Sequence, residues 1–152
     1  MRDPRGHTSE HVDFGLDVWC NADEELAMLE RELETLGQDD AHRAALLLYE
    51  QGRIRLALGQ EVDATQLLLR SYTLRPQFRP TIQLARQVYR HRGDHKLVVK
   101  LLDAEAQATR DPLARAALLR QQAHVLWLRV GDREGANERL KEALRLDATS
   151  LP

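Results

Sequence analysis

The sequence predicts an all-α chain, an α-α superhelix (solenoid) of stacked helical hairpins with about seven helices. Three observations predict it. Ala and Leu supply most of the apolar side chains, with 43 % apolar residues and only 5 % aromatics, so helix formers dominate and β-branched residues are sparse. The segment Arg43-Ala44-Ala45-Leu46-Leu47 recurs as Arg115-Ala116-Ala117-Leu118-Leu119. Glycines at 59, 93 and 131 each separate two amphipathic stretches, where a helix can leave through the left-handed conformation that other residues adopt only at a cost.

The repeat extends well beyond five residues. An ungapped offset of 72 also carries Asp39 onto Asp111, Gly59 onto Gly131, Ala64 onto Ala136, Leu68 onto Leu140 and Leu74 onto Leu146. The glycine spacings of 34 and 38 divide that period into two. The unit is therefore helix, Gly turn, helix, and a search for such periods comes before any other assignment.

Taken in order, the expected helices cover 24–36, 41–58, 61–74, 79–92, 95–108, 113–130 and 133–146. In the first, Leu26, Leu29, Leu33 and Leu36 share one face. Before it, Val12, Phe14, Leu16, Val18 and Trp19 form either a degenerate first helix interrupted by Gly15 or an arm packed through Phe14 and Trp19. Asp39-Asp40 and Asp111-Pro112 are helix starts, with a side-chain acceptor and, at 112, a proline that lacks only a donor the first turn does not use. The four residues beyond a 34-residue period, 113–116 and likewise 41–44, lengthen the first helix of those repeats by about one turn. The chain divides into an arm or degenerate helix at 1–22, a partial repeat at 23–40, and repeats at 41–78, 79–112 and 113–152.

With Gly59 at the turn, Leu48, Gly52, Ala64, Leu68, Ser71 and Pro76 define one pattern. Ile82, Ala85, Tyr89, Gly93 and Leu102 follow it more loosely, with Val98 and Glu105 where Ala is usual. Ala123, Trp127, Gly131, Ala136, Leu140 and Ala143 follow it again. On these residues the chain resembles the tetratricopeptide repeat (TPR) family, in the manner of bacterial multi-repeat arrays, over roughly 41–148. The most specific stretch is GDREGANERLKEALRLD. The resemblance implies a protein-protein interaction scaffold that binds a peptide or protein segment on the concave surface lined by the first helices. Carried across by position, its inward residues are Tyr49, Arg53 and Leu56, then Gln83, Gln87 and Arg90, then Gln121, Val125 and Leu128. One subset of the family clamps a terminal carboxylate with Lys and Asn. The matching positions here hold Tyr49, Arg53, Leu84, Leu118 and Gln122, so that clamp is not expected.

Charge adds an asymmetry to a net of −2. Residues 1–40 hold three Arg against twelve acids, a balance of −9. Residues 65–100 hold eight basic residues against Asp94 alone, a balance of +7. A nucleic-acid-binding helical repeat using the basic 65–100 segment is the competing function, and a regulatory domain of an enzyme is a third. Against the former, the basic residues are spread around both helices, and Tyr72, Phe78 and Tyr89 are few stacking partners.

Chemistry is sparse. His91 and His95 have ligand spacing, but Gly93 lies between them, and both are expected as solvated turn residues. His7 and His11 share that spacing without a confident helix. Cys20 has no basic neighbour to activate it. No phosphate loop or catalytic motif is present, so no enzyme activity, no cofactor and no metal is expected. Tyr89 and Trp127, and the leucines at 46–48, 67–69 and 118–119, are expected as core. No stretch could span a membrane and the start lacks a secretory apolar core, so the cytoplasm is the expected location. The sequence ends directly after a second helix. The apolar face left open there suggests a longer array or self-association through the last hairpin.

Overall fold

A computed structural model describes residues 16–37 and 39–149, with side chains from Asn21 onward. The described residues form helices and turns without a strand: α1 (Leu16–Thr35), α2 (Ala41–Ala57), α3 (Glu61–Leu74), α4 (Arg79–Arg92), α5 (His95–Ala108), α6 (Pro112–Val125) and α7 (Arg133–Thr149). A π-helical segment, Leu126–Val130, continues α6. The fold is all-α, as the composition predicts.

Local chemistry sets the boundaries. Asp40, Asp94 and Asp111 cap α2, α5 and α6 by accepting from the amides of Arg43 (2.9 Å), Leu97 (3.2 Å) and Ala114 (2.9 Å), each satisfying a donor the helix cannot. Pro112 stands at the first position of α6. Gly59, Gly93 and Gly131 are the positive-φ residues among those described. After α2 and α4 the turn is a Schellman motif. The amides of Gln60 and Asp94 reach back to the carbonyls of Arg55 and Tyr89, and those of Gly59 and Gly93 to Leu56 and Arg90. The third turn is wound differently. The amides of Gly131 and Asp132 both converge on the Leu126 carbonyl, at 2.8 and 3.0 Å, which makes the last turn of that helix a wide one.

Three antiparallel hairpins follow, α2/α3, α4/α5 and α6/α7, with α1 laid against α2. Ala22 and Leu26 of α1 bury against Ile54, with Leu29 and Leu58 at the margin. Within the first hairpin, a side chain at Gly52 would place its Cβ 3.1 Å from Leu68 Cδ2; the glycine lets α2 and α3 approach closely. Ser71 is buried and donates to the Ala45 carbonyl (2.7 Å) while sharing a 2.8 Å bond with Thr81 of α4. Hairpins two and three share an apolar cluster of Val98, Leu102, Ala106, Ala116, Leu118, Leu119 and Ala143.

Some expectations need correction. The first helix begins at Leu16 rather than 24 and runs without a break past residue 22. Residues 16–23 contain neither Gly nor Pro, so nothing stops propagation once the helix is nucleated. Phe14, Val12, Gly15, His7 and His11 lie outside the described residues, as do the side chains of Leu16, Val18, Trp19 and Cys20. Trp127 is not core. It is 45 % exposed, with the Arg133 guanidinium 5.3 Å over its ring. Tyr89, at the matching position, packs against the cluster shared with the next hairpin, and Trp127 has no such neighbour among the described residues. Leu69 and Leu140 are exposed as well. Leu69 lines an apolar recess between α3, α4 and α5, and Leu140 shares the exposed side of α7 with Leu144. Glu105 occupies a position where Ala was the family's usual residue, and it is buried nonetheless, within a polar cluster described next.

Candidate functional site

Between the second and third hairpins the backbones of α4 and α6 do not touch, and side chains bridge the gap. Glu105 of α5 lies at its centre. Its Oε1 accepts from Gln83 Nε2 at 2.7 Å, and its Oε2 lies 3.3 Å from Arg86 Nη1. Arg79 adds a second, more distant guanidinium at 4.0 Å. Arg86 also donates to Gln121 Oε1 of α6 at 3.1 Å. A carboxylate this buried requires such partners, and all of them come from α4.

Beyond this cluster a groove of about 790 Å³ opens between the end of α4, α5 and the α6–π helix. Val98, Leu102 and Val125 give it an apolar floor. Arg90, Arg120 and Arg129, with His95 and His124, give it basic walls, and no Asp, Glu, Phe, Tyr or Trp lines it. Arg120 is held by Asp147 at 2.6 Å. Arg90 and Arg129 form no ion pair among the described residues and are exposed.

The nine inward positions named from the sequence are divided among several surroundings. Arg90, Gln121 and Val125 come together in the groove. Leu56 and Gln87 line a separate, smaller recess beside Gly59. Gln83 is committed to Glu105. Tyr49 meets Phe78 edge-on at 5.8 Å between ring centroids, and Arg53 is exposed and paired with Glu50 at 2.9 Å. Leu128 is exposed outside the groove. The groove side there belongs to Arg129, because a wider turn needs more residues to return to the same face. At the positions of the carboxylate clamp, Leu118 and Gln122 are buried, and Gln122 Nε2 donates to the Val99 carbonyl at 3.1 Å.

Sequence reasoning missed Arg120, His124, Arg129 and His95. The first two stand four apart on the stripe next to Gln121 and Val125, a pairing that helical spacing makes visible. His95 is half-buried at the groove wall, and His91 is exposed on the preceding helix beside a different recess. The basic 65–100 segment is not one face. Arg79 and Arg86 turn to Glu105, Arg92 pairs with Glu61, and Arg75 stacks on Phe78.

Among the described residues no three His, Cys, Asp or Glu side chains are grouped as metal ligands, and no helix is long and apolar enough to cross a membrane. No family model matches the sequence, and no curated protein matches it. Among solved structures, one described as "MamA MSR-1 C2" is similar at 19 % identity and a TM-score of 0.42, covering 89 % of this chain and 99 % of its own. The hairpins themselves define the architecture: an all-α array of helix-turn-helix units, with one basic, apolar-floored groove.

Proposed function

We propose that the chain is a protein-protein interaction scaffold of the tetratricopeptide kind. It acts in the cytoplasm, catalyses no reaction of its own, and holds a peptide or protein segment between its second and third hairpins. The observation that supports this most is the groove itself. An apolar floor beside unpaired arginines is suited to a side-chain-bearing chain, which can offer apolar and polar groups alternately. Helical-repeat arrays use such surfaces because neighbouring units hold them in a fixed shape.

The test is affinity capture with the immobilised chain, followed by mass spectrometry. Proteins retained by the wild type are expected to be lost with Arg90→Glu/Arg129→Glu and kept with Arg53→Glu, whose arginine lies off the groove. Equal capture by all three proteins would remove the groove from the proposal.

A further inference from the structure

We infer that the groove takes an extended acidic peptide with apolar side chains between its acids; this rests on the scaffold reading above. Charge is the first reason. Many of the other arginines are paired within the chain: Arg43 with Glu32, Arg55 with Glu30, Arg86 with Glu105, Arg92 with Glu61, Arg115 and Arg139 with Glu142. Arg90 and Arg129 stand on opposite sides of the groove with no such partner, and no carboxylate lines the space between them. An acidic segment supplies the missing charge, with a guanidinium fork on either side to receive carboxylates.

The floor is the second reason. Val98, Leu102 and Val125 form an apolar strip below the arginines, and a small inorganic anion would leave that strip wet. Apolar side chains spaced between acids would cover it. Lack of a large ring is the third. Single-stranded nucleic acid gains much of its affinity by stacking bases on aromatic side chains, and no Phe, Tyr or Trp lines this groove. The chain's own acidic helix, α1, packs on α2 and touches neither α4 nor α6. A single copy therefore does not fill its own groove with it.

The experiment measures fluorescence anisotropy of labelled peptides of equal length and Leu content, alternating Leu with Glu, Gln or Lys, and of a labelled oligouridylate, on the full chain. The Glu/Leu peptide is expected to bind, more weakly as salt rises. Arg90→Glu/Arg129→Glu is expected to weaken it by about tenfold or more and to acquire binding of the Lys/Leu peptide. Arg110→Glu, exposed and outside the groove, should change neither, and circular dichroism checks that every variant is folded. Equal or tighter binding of the Gln/Leu or Lys/Leu peptide by the wild type overturns the acidic preference and leaves the scaffold standing. Failure of every peptide overturns both. Oligouridylate binding that depends on the same two arginines replaces the peptide with a nucleic acid. Concentration-dependent oligomers that Arg90→Glu/Arg129→Glu dissolves, without added peptide, replace it with a second copy.

Discussion

Replacing Glu105 with Ala puts the buried polar cluster to the test. The carboxylate is 2 % exposed and Arg86 is 14 % exposed, 3.3 Å away. Removing one partner of a buried pair costs about 3–5 kcal/mol, because the other charge is left uncompensated. Arg86 keeps Gln121 as an acceptor at 3.1 Å and some water, so the lower end, about 3 kcal/mol, applies. For a chain of this size that lowers the melting temperature by about 6–12 °C. Glu105→Ala/Arg86→Leu removes both charges together and should recover stability to within about 1 kcal/mol of wild type. Urea unfolding of the four proteins of the cycle gives the coupling directly. A Glu105→Ala protein within about 0.5 kcal/mol of wild type, or a double variant no better than the sum of the singles, would refute the reasoning.

Ser71→Ala should cost about 1–3 kcal/mol in the same assay, because Thr81 is buried and loses its 2.8 Å partner; restoring the hydroxyl with Thr tests whether the bond or the cavity matters. Gly93→Ala is expected to cost about 1–2 kcal/mol through its φ of +75° alone, since its Cβ would meet nothing within 4 Å; Gly93→Asn should cost less, and a larger loss for Asn than for Ala would point to a steric cause. Trp127→Ala is expected to cost less than about 1.5 kcal/mol, well short of a core Trp at about 3–5 kcal/mol, with its fluorescence emission already red-shifted in the folded wild type relative to a buried indole.

Helix positions were legible because they rest on local signals. The glycines at 59, 93 and 131 and the aspartates at 40 and 111 end and begin helices by their own backbone and side-chain chemistry, with no help from distant residues. The small residues of the repeat pattern were legible too, since Gly52 and Ala64 stand where α2 and α3 come closest. Glu105 could not be placed from its own neighbours. Its burial depends on Gln83 and Arg86 from another helix, and no spacing in the sequence announces that meeting. The groove was half legible for the same reason. Arg90, Gln121 and Val125 follow from helical periodicity, but the exchange of Leu128 for Arg129 depends on how the last turn is wound. Two amides sharing the Leu126 carbonyl is a change of winding that an ungapped repeat of 72 conceals.

The two joints between hairpins are unequal. Between the second and third, an apolar cluster and the Gln122–Val99 bond join α5 to α6, and Arg86, held by Glu105, reaches Gln121 of α6. Between the first and second, α3 meets α4 less extensively, around the Ser71 hydroxyl and the Tyr49–Phe78 edge, beside an apolar recess of about 120 Å³. A linear array transmits order only from neighbour to neighbour, so a local opening parts at the weaker joint first. The groove lies wholly beyond that joint. An opening there would leave the spacing of its walls unchanged, since every lining residue belongs to the second and third hairpins.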